Sequence, residues 1–191
     1  MEIGIFIYNG VEALDFCGPL EVFTTASRIA NRPINVSLIA PSQAPIRTRG
    51  DVSINPHFCI HGHPRFDLLI VAGGKLDRVI NNQAVLDWLA ETATHTRHCA
   101  SICSGVFLFA KAGLIEGKTV TTHWQRIDEL SELYRHLNVV NDKRFVTDQN
   151  FTSSAGVASG IDMSLDMIKK RFGYEVAKKT AHQMDYRWSE I

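Results

Sequence analysis

At 191 residues the chain is long enough for one well-packed domain and short for two. Hydrophobic residues make up 45% and charged residues 21%, with 20 basic side chains balancing 20 acidic ones, so no charge excess marks a nucleic-acid or anionic-membrane surface. No stretch approaches the roughly 18–20 uninterrupted apolar residues of a membrane span.

The opening run IGIFIY, closed by the turn signal Asn9-Gly10, predicts a buried parallel strand. In GPLEVFTTASRIA, Gly18-Pro19 marks a helix start, and Leu20, Val22, Phe23, Ala26 and Ile29 follow a 3.6-residue period. VSLIA, residues 36–40, is a second strand, and residues 41–66 read as short strands or loops. FDLLIVAGG is a third buried strand ending in Gly73-Gly74, followed by the amphipathic helix AVLDWLAETAT and the strand RHCASIC. GVFLFAKAGL is apolar almost all round and predicts a buried helix that ends at Gly113 and Gly117. KTVTTHW adds a strand and WQRIDELSELYRHL a helix. NVV, RFVT and FTSSA are short strands, the last two joined by a turn at Asp148-Gln149-Asn150. IDMSLDMIKKRFG and EVAKKTAHQM close the chain as helices. Strands alternating with helices predict a single α/β domain over residues 1–191, with a mainly parallel sheet covered on both faces. Ligands in such folds sit at the carboxyl ends of the strands.

The N-terminal MEIGIFIYNG lacks the basic region of a signal peptide, so the expectation is a cytoplasmic protein whose four cysteines, Cys17, Cys59, Cys99 and Cys103, stay reduced. Ser101-Ile102-Cys103-Ser104-Gly105 has the small-x-nucleophile-x-Gly form of a strand-to-helix elbow. A helix start beyond the cysteine favours thiolate and supplies N–H donors. The other reading is a small apolar residue filling the core, which suits Cys99. Gly73-Gly74 offers either N–H groups to a ligand or a turn that needs positive φ. Asp15, in EALDFCGP, fits a helix-entry cap or a proton carrier beside a thiol. Glu21 suits the helix dipole without any catalytic role. His123, twenty residues past Cys103, is either structural or the partner of an activated thiol. His57, Cys59, His61 and His63 alternate in HFCIHGH, but Gly62 and Pro64 break the pattern and the spacing matches no zinc motif, so no metal is expected.

Taken in order, LDFCGPLEVF, the strand ending in VAGG, the elbow SICSG, GLIEGKTVTTHW and SSAGVASGIDMSLDMI resemble the ThiJ/PfpI superfamily, over nearly the whole chain. The resemblance implies a flavodoxin-like three-layer sandwich with a nucleophile elbow, related to class I glutamine amidotransferases. Ser104 stands where PfpI-type peptidases place His, which points away from proteolysis. Asp15, a hydroxyl residue after the cysteine and TTHW look like the isonitrile hydratase branch, which forms N-substituted formamides without metal or organic cofactor. The resemblance then implies Cys103 as nucleophile, Asp15 as proton donor and water activator, and Ser104 as a substrate or water contact. The N–H groups of Gly74 and Ser104 would hold developing charge, with Gly73, His123 and Trp124 lining the substrate. It also implies a small-molecule substrate and a homodimer, while the balanced charge and the lack of a long apolar run give no expectation of a nucleic-acid or membrane partner. Similar domains form the N-terminal halves of AraC-type regulators. The closing WSEI comes directly after the domain, so the expected alternative is a stand-alone ligand or redox sensor. Glyoxalase or amidase chemistry on the same thiol is a third reading.

Overall fold

The computed structural model describes residues 1–188. The expectation drawn from the closing WSEI falls largely on residues 189–191, outside that range. Five parallel strands form the centre: β1 (Glu2–Phe6), β2 (Asn35–Ala40), β6 (Leu68–Val71), β7 (His98–Ile102) and β11 (Phe151–Ser154). The short β5 (Phe58–Cys59) extends one edge in parallel, and β10 (Phe145–Asp148) pairs antiparallel with β11 on the other. The strand order is β10-β11-β7-β6-β1-β2-β5. Two small ladders lie outside this sheet, β3 (Ile46–Arg47) with β4 (Ser53–Ile54) and β8 (Thr119–Val120) with β9 (Asn138–Val139).

Burial on both faces explains why β1 has no polar side chain from Ile3 onward. Ile3 and Ile5 enter the core on one face of the sheet and Phe6 enters the core on the other. Helices α1 (Ala13–Ala30), α5 (Ser159–Phe172) and α6 (Tyr174–Gln183) pack over the face of Ile3 and Ile5. Helices α2 (Gln83–His95), α3 (Val106–Lys111) and α4 (Ile127–Leu133) cover the opposite face, where Trp88 packs at a tilt against Phe6 with ring centroids 4.9 Å apart. This is the three-layer α/β sandwich with a mainly parallel sheet that the sequence pattern predicts.

Several boundaries differ from the sequence reading. Helix α1 begins at Ala13, five residues before Gly18, so Asp15 lies in its first turn and Pro19 inside it. Proline lacks an N–H and forfeits one helical bond, normally a start or stop signal. Here the helix entry is fixed further upstream: Val11 bridges to Gly74, and the Glu12 N–H donates to the Gly73 carbonyl at 2.9 Å. Strand β8 ends at Val120, and His123 instead caps a 3₁₀ turn over Trp124–Arg126. No helix among the described residues is long and apolar enough to cross a membrane.

Candidate active site

Cys103 follows β7 directly and has φ +53°, a left-handed conformation that costs a side-chain-bearing residue roughly 1–2 kcal/mol. The small residues on either side make this turn possible. Ser101 is fully buried, and a Cβ on Gly105 would collide with the Val71 carbonyl. A 3₁₀ turn over Cys103–Gly105 then leads into α3.

Gly73, at the end of the neighbouring strand, is where the site converges. A Cβ there would lie 2.7 Å from Asp15 Oδ2, 2.7 Å from the Ser104 nitrogen and 2.8 Å from Cys103 Cβ. Only glycine lets α1, the elbow and the end of β6 approach this closely. The fully buried Asp15 accepts the Gly73 N–H through Oδ2 at 3.0 Å and leaves Oδ1 without a hydrogen-bond partner. Its side chain makes no capping bond to α1, so the helix-cap reading does not hold.

Burial raises the Asp15 carboxyl to about 7 against the lowering effect of the Gly73 N–H, and the Glu12 charge adds to the rise. Burial also pushes the Cys103 thiol up to about 12, aided by the Asp15 charge; the Ser104 N–H opposes it, and smaller contributions come from Glu12 upward and Arg126 downward. The expected thiolate preference from the helix dipole is therefore reversed. Helix α3 has only six residues, and desolvation beside a carboxylate outweighs its dipole. Protonation of Asp15 removes that repulsion, so the charge state of the carboxyl acts on the thiol.

Ser104 serves the backbone. Its Oγ accepts the Gly74 N–H at 2.9 Å and donates to the Gly74 carbonyl at 3.0 Å. The Gly74 N–H is thereby engaged, and of the two expected charge-stabilising amides only that of Ser104 points at the sulfur. His123 accepts the Gln125 N–H through Nδ1 at 3.4 Å, and Trp124 is 71% exposed beside it. Thr122, rather than His123, reaches the elbow, donating to the Cys103 carbonyl at 2.8 Å. His123 and Trp124 line a cavity of about 500 Å³ together with Thr122, Lys143 and Gly156. Gly156 (φ +70°) packs so closely on Cys103 that any Cβ would overlap the Cys103 Cβ.

Three contributors were not visible in the sequence as site residues. Tyr8 reads as the end of a strand, yet its hydroxyl lies close enough to the elbow for the Cys103 and Asp15 charges to act on it, and donates to the Ala72 carbonyl at 3.2 Å. Gly156 reads only as part of a glycine-rich helix entry. Arg126 reads only as part of the helical stretch WQRIDELSELYRHL, but its guanidinium covers Phe107 at 4.4 Å and its charge reaches the thiol.

Two members of the histidine-rich segment are engaged in hydrogen bonds within the fold. His57 Nδ1 accepts the Leu38 N–H at 2.9 Å. His63 has both ring nitrogens occupied, by the Pro64 carbonyl at 2.8 Å and the Trp88 indole N–H at 2.7 Å. Neither leaves the lone pairs that joint metal ligation would need. All four cysteines have free thiols, with Cys99 buried and Cys17 exposed.

The DJ-1/PfpI family model matches residues 1–170. The chain belongs to the DJ-1/PfpI family. Among its DJ-1/PfpI relatives, isonitrile hydratase of Pseudomonas putida is 27% identical over 97% of this chain and 78% of its own length. The transcriptional regulator CdhR of Pseudomonas aeruginosa is 26% identical over 95% of this chain. This chain spans only 54% of that regulator's length. A ThiJ/PfpI family protein of Pseudomonas syringae superposes with a TM-score of 0.86 at 24% identity, over 99% of this chain and 76% of its own. DJ-1beta of Drosophila melanogaster gives 0.85 at 21% identity, over 98% of both chains. The family thus spans enzymes and regulators on one fold, and function has to be argued from the site.

Proposed function

We propose that this DJ-1/PfpI protein is a cysteine-dependent hydratase that adds water to an isonitrile and releases an N-substituted formamide. The observation that carries this reading is the Asp15 carboxyl, sealed from solvent, raised to about 7 and left with a free Oδ1 beside Cys103. A group with that pKa both accepts and donates a proton at neutral pH. The likeness to isonitrile hydratase supplies the substrate class.

The terminal carbon of an isonitrile accepts both a nucleophile and a proton. Asp15 takes the thiol proton, the Cys103 sulfur forms a bond to that carbon, and Asp15 returns the proton to the same carbon, giving a thioimidate. The Ser104 N–H holds the charge on sulfur during attack and departure. Asp15 next draws a proton from water as its oxygen adds to the carbon, and passes that proton to nitrogen. The C–S bond then breaks, the sulfur recovers a proton from the new hydroxyl, and the formamide leaves. The balance is one isonitrile and one water to one formamide, without metal or redox partner. His123 and Trp124 line the space for the substituent on nitrogen. The reading places the protein in the cytoplasm, where its thiols stay reduced, and as a homodimer, which sedimentation checks.

Turnover on isonitrile, amide and methylglyoxal substrates by wild type and Asp15→Asn tests this reading. Formamide production that collapses in Asp15→Asn supports it. Turnover of the amide or glyoxal alone moves the protein to a related hydrolase. Saturable binding without turnover favours ligand sensing, a second reading supported by the neutral Cys103 thiol and by the regulators among the relatives.

A further inference from the structure

A second cavity, of about 450 Å³, lies at the opposite pole of the sheet from Cys103. It opens at the amino ends of the parallel strands, where Leu68 begins β6 and His98 begins β7. Its volume falls within the range typical of small-molecule sites. Leu68 and Met167 give it apolar walls, while Arg97, Lys170 and Arg171 bring positive charge. That concentration is notable in a chain whose basic and acidic residues balance.

The cations differ in how they are held. Lys170 is anchored by Asp166 at 2.7 Å, which fixes the position of its head group. Arg97 and Arg171 form no ion pair or side-chain hydrogen bond with any described residue. Asp67 is the one acidic side chain lining the cavity, and its Oδ2 is engaged by the Glu2 N–H at 2.8 Å. On the wall, His98 Nε2 bonds with Thr152 Oγ1 at 2.9 Å, which in turn meets Thr147 Oγ1 at 3.0 Å. This gives a pocket with a polar wall, an apolar wall and two guanidinium groups that are unpaired among the described residues.

We propose that this cavity binds a small amphiphilic anion, with its carboxylate between Arg97 and Arg171 and its hydrocarbon body against Leu68 and Met167. Guanidinium forks match carboxylate geometry, and apolar burial gives affinity that an exposed ion pair alone does not. The ligand class therefore needs both parts: neither a bare anion nor a neutral chain satisfies the site. Strand β7 runs from His98 in this cavity to the elbow at Cys103, a span of ~16 Å over five residues. The site is separate from the reacting thiol and stands whether or not the hydratase reading does.

Octanoate titration of the full-length protein, followed through the His98 ring and Thr152 methyl resonances, tests the proposal. Inorganic phosphate and 1-octanol serve as the anion-only and chain-only probes. The expected result is saturable octanoate shifts at both residues, weakened at least tenfold in Arg97→Ala/Arg171→Ala and weakened less in Arg97→Lys/Arg171→Lys, which keeps the charge and loses the fork. Both variants should melt as wild type does, because the replaced side chains are exposed. The proposal is overturned by absence of saturable shifts at His98, by equal binding of phosphate or octanol, or by octanoate binding that survives the double alanine change.

Discussion

Ser104 Oγ holds the Gly74 peptide from both sides, accepting its N–H at 2.9 Å and donating to its carbonyl at 3.0 Å. A single hydroxyl thus ties the elbow after β7 to the turn after β6. Ser104→Ala strands both Gly74 groups in a partly buried setting. The expected cost is about 1–3 kcal/mol in urea unfolding, with a loss of turnover because the Ser104 N–H shifts with the loop. A variant with unchanged stability would mean that water replaces the hydroxyl.

Gly156→Ala is expected to be worse. Its φ of +70° disfavours any side chain, by about 1–2 kcal/mol, and the added Cβ overlaps that of Cys103. Thermal unfolding should show a clear drop in midpoint, and the thiol should lose its activity even where the variant folds.

Cys103 carries its own backbone strain at φ +53°. Cys103→Gly relieves that strain and Cys103→Ala retains it, so the glycine variant should be more stable by about 1 kcal/mol. Both variants should lack turnover. Paired denaturant curves make the comparison.

Asp15 sets a pH dependence with a defined sign. Its folded-state pKa of about 7 lies above its unfolded value, so the protonated carboxyl favours the fold. That contribution is fully present below about pH 4 and is lost as pH rises through 7. Asp15→Asn should therefore gain stability on wild type across pH 5–8, and the difference should vanish toward pH 4. The same substitution removes a charge that raises the Cys103 pKa, so its thiol should be alkylated faster at pH 8.

How much of this was readable beforehand depends on how local the signal is. The elbow was legible because the small residues bracketing Cys103 are its immediate neighbours and shape the turn directly. The parallel sheet was legible because continuous apolar runs such as IGIFIY and FDLLIVAGG suit strands buried on both faces. Asp15 was legible as a candidate, but Gly18-Pro19 imitates a helix start and hid the real one, which the Val11–Gly74 bridge sets through a distant strand. The engagement of Ser104 with Gly74, the approach of Gly156 to Cys103 and the place of Tyr8 near the elbow all depend on tertiary contacts between separate segments. No local periodicity encodes them. The thiol's raised pKa escaped for the same reason, since burial beside Asp15 is a property of the assembled core.

The central claim is that the Cys103 thiol carries out hydration with Asp15 moving the proton. Its most direct measurement is formamide production from a ¹³C-labelled isonitrile by wild type and by Cys103→Ala, followed by NMR. The account predicts steady formamide release by wild type and a loss of at least about a thousandfold in Cys103→Ala. Formamide release by Cys103→Ala at the wild-type rate, or a wild type that binds the isonitrile without converting it, would contradict it.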